Sequence, residues 1–215
     1  MGDFLFAANF AAGKVDIFNG MFGGGSLSGN FTDPNLPAGY SPFGIQNING
    51  NIYVAYAFKE AGSDEETTGA GLGVVSVFDS NGNFIREVAG PGGTLNAPWG
   101  LTLAPDNFGP FSGDLLVGNF GDGTINAFDP LTDAFEGQLK NAGGVISISG
   151  LWGIGFGNGG NAGPKNDLYF AAGIDDENEG LFGRILVPEP GTLSVFGVGL
   201  LGLFALRRRK EAQAK

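Results

Sequence analysis

Two short runs concentrate the carboxylates of this chain: Ser63-Asp64-Glu65-Glu66 and Asp175-Asp176-Glu177-Asn178-Glu179. Oxygen ligands at that density suit a hard cation, so Asp64, Glu65, Asp175 and Asp176 are candidate Ca²⁺ ligands. A solvated acidic loop that keeps the surface soluble accounts for the same residues without a metal. Asp79-Ser80-Asn81-Gly82-Asn83 has part of a calcium-loop composition but lacks the spacing and the closing Glu, and reads as a hairpin turn. Three aromatics, Phe43, Trp99 and Trp152, each precede a glycine and an aliphatic residue. They are candidates either for a mouth that stacks on sugar rings or for packing between sheets. There is no histidine and no cysteine, which removes His-based triads, His general bases, thiolate nucleophiles and zinc–thiolate sites. No nucleophile–base pair is proposed, and no cofactor other than Ca²⁺ has candidate ligands. Asp106, Asp114 and Asp167 read equally well as turn residues. Gly69-Ala70-Gly71-Leu72-Gly73 lacks the full dinucleotide pattern and opens a strand rather than a helix.

The elements that must position these residues are strands. Forty-one glycines cluster with Asn, Asp and Ser between apolar runs, and twenty phenylalanines supply core volume. No segment before residue 190 has a long helical apolar period. Four segments align as an alternating strand, a Gly-rich turn and a second alternating strand: 5–18, 52–79, 115–129 and 168–186. The second strand often ends in Phe-Asp or Phe-Asn, at Phe18-Asn19, Phe78-Asp79 and Phe128-Asp129. An aromatic-Gly-aliphatic element precedes three of the segments, at 42–48, 98–105 and 151–157, with Gly44, Gly100 and Gly153 at one phase. A further strand follows at 82–89 and 133–139. One unit is then four short strands, the arithmetic of a β-propeller blade. A β-sandwich also has short strands and frequent turns, but it does not require the same element at a fixed phase.

The expected fold is all-β: three to four propeller blades over residues 1–186. Two units are complete, near 42–89 and 98–139. A leading unit at 3–31 lacks its first strand, and one at 151–186 lacks its last. The chain opens at a strand with no signal peptide. It therefore reads as an N-terminally truncated part of a larger propeller, six blades being one size that closes, or as a protein that closes by oligomerisation. Apolar blade faces left uncovered predict self-association.

Charge is unevenly placed. Residues 1–187 carry 20 acids and 6 bases, whereas 188–215 carry 2 acids and 5 bases. The acidic body argues against a nucleic-acid partner. The end reads as Pro188-Glu189-Pro190, a short apolar run at 192–206, then Arg207-Arg208-Arg209-Lys210. Fifteen apolar residues are short of the roughly 20 of a comfortable span, so the run reads as a transient membrane anchor. The arginines act as a cytoplasmic stop that leaves 211–215 inside. The prolines hold Glu189 extended outside the membrane, where a membrane protease can grip it.

This tail, 187–210, resembles the PEP-CTERM sorting signal. The resemblance implies export from a Gram-negative bacterium, an inner-membrane intermediate and cleavage by an exosortase near Pro188-Glu189-Pro190. It further implies delivery to the cell surface or extracellular matrix, with extracellular polysaccharide as a partner. The body, through 31–57, resembles an uncharacterised bacterial β-propeller family that carries such tails, which implies a fold and no activity. Two functions follow. The first is a non-enzymatic binding or structural propeller at the surface. The second is a secreted propeller hydrolase or lyase, Ca-dependent in one form, acting on polysaccharide or lactone. A permanently anchored periplasmic scaffold is a third.

Overall fold

Strand-forming runs separated by glycine turns give fifteen strands in a computed structural model that describes residues 3–186. The expected sorting segment, with Pro188, Glu189, Pro190, the apolar run and Arg207, Arg208 and Arg209, lies outside the described residues. Among the described residues no helix is long and apolar enough to cross a membrane.

The first sheet pairs β1 (Phe4–Asn9) with β2 (Lys14–Asn19). The second is a four-stranded antiparallel meander of β3 (Tyr40–Ile48), β4 (Asn51–Phe58), β5 (Gly73–Phe78) and β6 (Phe84–Ala89). The third repeats that order with β7 (Pro98–Leu103), β8 (Leu115–Asn119), β9 (Ile125–Phe128) and β10 (Phe135–Gln138). A small hairpin follows, β11 (Lys140–Asn141) with β12 (Gly144–Val145), which the reading of 133–139 as one outer strand did not anticipate. The fourth sheet holds β13 (Leu151–Phe156), β14 (Leu168–Ile174) and β15 (Glu179–Ile185). The architecture is all-β and propeller-like: successive antiparallel meanders stack face to face, with β3, β7 and β13 side by side at the inner edge.

Strand alternation explains the stack. In β4, Val54 and Tyr56 face the first sheet and join Val15, Phe31, Val74 and Phe78 in one core layer. Tyr53 and Ala55, on the opposite face, join Val75, Leu101, Leu115 and Val117 in the next. Leu116 points the other way again and packs with Ile125, Leu151 and Leu168. Strands β5, β8 and β9 are therefore buried along their whole length. The end sheets are covered on one face only, and leave Leu5 and Phe182 exposed.

The glycines at the shared phase have a steric reason. A Cβ on Gly44 would collide with the Trp99 carbonyl of the next sheet. One on Gly100 would lie 2.8 Å from the Trp152 carbonyl and 2.9 Å from Ile154 Cγ1. Close approach of neighbouring inner strands thus demands glycine at both. Gly153 has only a Trp99 ring carbon near it, at 3.4 Å.

The recurrent Phe-Asp and Phe-Asn pairs end the third strand of a unit and build its turn. Asp79 Oδ1 accepts from the N–H groups of Asn81 and Asn83 at 2.8 and 2.9 Å. Asp129 Oδ1 accepts from Leu131 N–H at 2.7 Å, and Asn19 Oδ1 from Met21 and Gly23 at 3.0 and 3.1 Å. These are Asx turns, the local use to which short polar side chains are suited.

One ion pair ties two sheets together. Arg86 Nε on β6 donates to both carboxylate oxygens of Asp133, at 3.0 and 2.9 Å, and Nη2 donates to the Pro130 carbonyl at 2.8 Å. Asp133 sits at φ +60°, which Asp and Asn tolerate. Asp133→Asn keeps the turn and strips the charge, so it is expected to cost about 1–2 kcal/mol. Asp133→Ala adds backbone strain and costs more. Urea midpoints of the two variants check this order; equal loss would show that the backbone strain has no role, and no loss in Asp133→Asn that the charge has none.

Candidate functional site

The three aromatics singled out in the sequence do come together. Trp152 lies at the hub, its ring centre 5.4 Å from that of Trp99 and 5.6 Å from that of Phe43. Two further rings complete the group. Phe120 is 4.7 Å from Trp152 and 6.1 Å from Phe43, and Phe10 is 5.1 Å from Phe43. All five are half-buried. Phe10 and Phe120 follow Asn9 and Asn119 at the ends of β1 and β8. The repeated Asn-Phe pair was the sequence signal for them. The rings pack on one another across the inner edge of the stack, which is the packing role. Each also keeps part of its surface in solvent, which is what a stacking platform needs.

Charged groups rim this cluster. Lys59 Nζ sits 5.3 Å from the Phe10 ring centre and donates to the Phe10 and Ala11 carbonyls at 3.4 and 3.0 Å. The cation thus pairs a ring face with two backbone oxygens. The Glu177 side chain and Trp152 Nε1 flank Gly173 together, which puts that carboxylate arm beside the indole edge.

The acidic runs occupy matching loops, between β4 and β5 and between β14 and β15. Asp64 and Glu65 are exposed in the first, where Ser63 Oγ accepts from Glu65 N–H at 3.0 Å. Asp175, Asp176 and Glu177 take consecutive left-handed conformations in the second, φ +54°, +48° and +64°. The charge of Glu177 in the second loop acts on Glu66 in the first. Burial raises the Glu66 pKa, and the charges of Glu65 and Glu177 add to that rise. Among the described residues no group of three or more Asp, Glu, His or Cys side chains is placed to share a metal ion.

Other carboxylates divide into two sets. Glu87 and Asp114 are raised, each by burial first and then by neighbouring acids. Asp16 is lowered mainly by its hydrogen bond with Lys14, Asp79 by the one from Asn83, and Asp129 by the Leu131 N–H. Linkage gives the signs. Glu66, Glu87 and Asp114 weaken the fold when ionised, and the fold regains that stability as pH falls through their raised values. Asp16, Asp79 and Asp129 contribute stability that is lost as pH falls through their depressed values, below the ordinary 3.8. Relief of self-repulsion from the formal charge of −11 works with the first set. Stability is expected to rise from pH 7 toward 4.5, the ordinary glutamate value, and to fall below 3.8. A urea midpoint that declines steadily from pH 7 would contradict this.

A propeller-like stack whose aromatic inner edge is flanked by Lys59 and Glu177, followed by an apolar-then-basic tail, defines the class as a β-rich body joined to a short terminal segment of different composition. Residues 186–210 match the PEP-CTERM protein-sorting motif, so the chain carries that motif. That motif supports an exported, cell-surface-directed protein. The chain is also similar to an uncharacterized protein of Acanthamoeba polyphaga mimivirus, 36% identical over 194 residues, covering 86% of this chain and 46% of the viral protein. The chain spans about half the length of the curated relatives it matches. Among solved structures it is similar to Myxococcus xanthus glutaminyl cyclase, with TM-score 0.45 and 14% identity over 78% of this chain and 63% of that one. It is similar also to the WD40 β-propeller domain of Doa1, with TM-score 0.36 and 12% identity over 85% and 62%.

Proposed function

We propose that the body is a non-enzymatic binding or structural module of the cell surface or extracellular matrix, delivered through an inner-membrane intermediate and freed by cleavage beside Glu189. The observation that carries this is the sorting motif at 186–210. The use of the carboxylates supports the non-enzymatic part: Asp79 and Asp129 hold turns, and Asp133 and Asp167 hold arginines. Half-buried Phe43, Trp99, Phe120 and Trp152 supply ring faces suited to the apolar faces of sugars, so matrix polysaccharide is the proposed ligand. The alternative is a polysaccharide hydrolase or lyase. It is favoured by Glu66, a carboxyl whose pKa burial raises, with the charges of Glu65 and Glu177 adding to the rise, as a general acid requires.

The test incubates the full chain with matrix polysaccharide from the cells that make it. The module reading expects retention on the polysaccharide with no new reducing or unsaturated ends. Appearance of such ends, lost on chelation or in Glu66→Gln, would replace it with the enzyme reading.

A further inference from the structure

In each of the three larger sheets the second strand is paired on both sides. Its inner neighbour is β3 beside β4, β7 beside β8 and β13 beside β14. In the first sheet β1 holds this second position, because it touches β3 as β4 touches β7 and β8 touches β13. One edge of β1 pairs with β2, and the inner edge has no strand partner among the described residues. A groove of about 220 Å³ lies there, lined by Phe4, Leu5 and Phe6 of β1 and by Ile45, Asn47 and Ile52 of the second sheet. Inner strands do supply core elsewhere in the stack. Ile48 at the end of β3 enters the layer between the second and third sheets, and Ala104, next to β7, enters the layer beyond it. The absence of a counterpart before β3 shows in the burial. Leu101 follows its glycine as Ile45 does and shares a layer with Ile48; it is 4% exposed, whereas Ile45 is only half-buried.

The existing inner strands define the chemistry that fits this edge. Gly44 pairs with Ala55 and Gly100 with Gly118, small residue against small residue. Counting back from the shared pairs Asn9-Phe10 and Asn119-Phe120, Ala8 stands where Gly118 stands, and Phe6 where Leu116 stands. Phe6 and Leu116 each pack toward the following sheet, so the two strands present the same face. A residue docked opposite Ala8 therefore faces the second sheet. The carbonyls of Trp99 and Trp152 bar a Cβ at Gly44 and Gly100, and their counterpart on the second sheet is the carbonyl of Phe43. The docked residue must then be glycine. Side-chain alternation turns the next residue away and points the fourth after the glycine into the core layer, the place that Ile48 and Ala104 take.

We propose that the inner edge of β1 takes up an extended peptide strand of the pattern aromatic-Gly-aliphatic-x-x-Ile or Ala, antiparallel to β1 and with its glycine opposite Ala8. The occupant is a partner polypeptide segment of this chemistry. An intact second copy does not supply it, because β3, β7 and β13 are already paired and β1 itself has no glycine. The docked strand continues the row of β3, β7 and β13 by one place, and its apolar side chains fill the groove over Ile45 and Ile52. Main-chain hydrogen bonds hold it, and the glycine selects it. The inference rests neither on the sorting reading nor on the polysaccharide reading.

The chain has no cysteine, so a docked strand can be trapped by one introduced thiol. In the third sheet Leu103 pairs with Leu115, the counterpart of Leu5. Leu5 is 50% exposed, so Leu5→Cys leaves the core layers closed, and an unchanged near-ultraviolet spectrum shows that the variant is folded. The full chain with this substitution is oxidised in the presence of a synthetic copy of residues 97–105 carrying Leu103→Cys. A second copy carries Thr102→Cys instead, and a third adds Gly100→Val to the first. Disulfide geometry requires Cβ atoms about 4 Å apart, so the first peptide is captured. The other two are captured at least about fivefold less, because a one-residue offset turns the thiol to the opposite face and a valine collides with a backbone carbonyl. Capture of none of the three by the folded variant, or equal capture of all three, would overturn the proposal. A chain-to-chain disulfide as the main product would assign the edge to a second copy and overturn it as well.

Discussion

Gly44→Ala is expected to lower the stability of the body by about 3 kcal/mol, with Gly100→Ala close behind. Each glycine lies where the inner strand of one sheet passes against the backbone of the next. The obstacle to a Cβ at Gly44 is the Trp99 carbonyl, part of a paired strand, and not a flexible side chain that swings away. Relief requires β3 and β7 to separate. That opens the layer containing Val75, Leu101 and Val117, each of whose buried side chains contributes roughly 1.5–3 kcal/mol. Gly153→Ala provides the internal control. It has the same sequence setting but meets only the edge of Trp99, and is expected within about 0.5 kcal/mol of the parent. Urea unfolding of the three variants reads the order directly. Equal losses at all three positions would mean that the shared phase reflects strand chemistry and not the approach of sheets.

Replacing Pro188-Glu189-Pro190 by three alanines is expected to have the largest effect on the fate of the chain. Proline at two of the three positions disfavours a helix, whereas alanine is the best helix former. The proposed cleavage needs a triplet that a protease can grip outside a helix, and the alanine variant works against that. On the proposed sorting, the expected outcome is that the uncut form accumulates to nearly all of the variant protein and stays with the inner membrane. Body-directed and tail-directed antibodies on separated membrane and surface fractions read this. Normal release of the alanine variant would show that the cut does not depend on the motif.

Much of the fold was legible because its constraints are local. The alternation in Ile52–Phe58 and Leu115–Asn119, the turn-forming Asp79 and Asp129, and the glycine after each inner aromatic are all signals within a few residues. The second half of the aromatic cluster was harder. Phe10 and Phe120 come from different sheets and meet Phe43 and Trp152 only through the stacking of inner strands. The effect of the Glu177 charge on Glu66 couples loops more than a hundred residues apart in sequence, and periodicity carries no information about it. The segment between β2 and β3 was also opaque. It has no strand period, yet it buries Phe31 at φ +56° and places Asp33 Oδ2 to accept from Ser76 Oγ at 2.6 Å. Such a segment is held by contacts with other elements, not by its own pattern. The tail was legible for a different reason: an address must be read by another molecule, so its residues lie in linear order.

The central claim is that the tail is an address used once and the body is its cargo. Intact mass with terminal peptide mapping, on protein taken from the surface fraction of its own cells, tests it most directly. The account predicts body peptides up to the region of Leu186 and none beyond Pro188-Glu189-Pro190. Surface protein that still carries Arg207–Lys215 would contradict it.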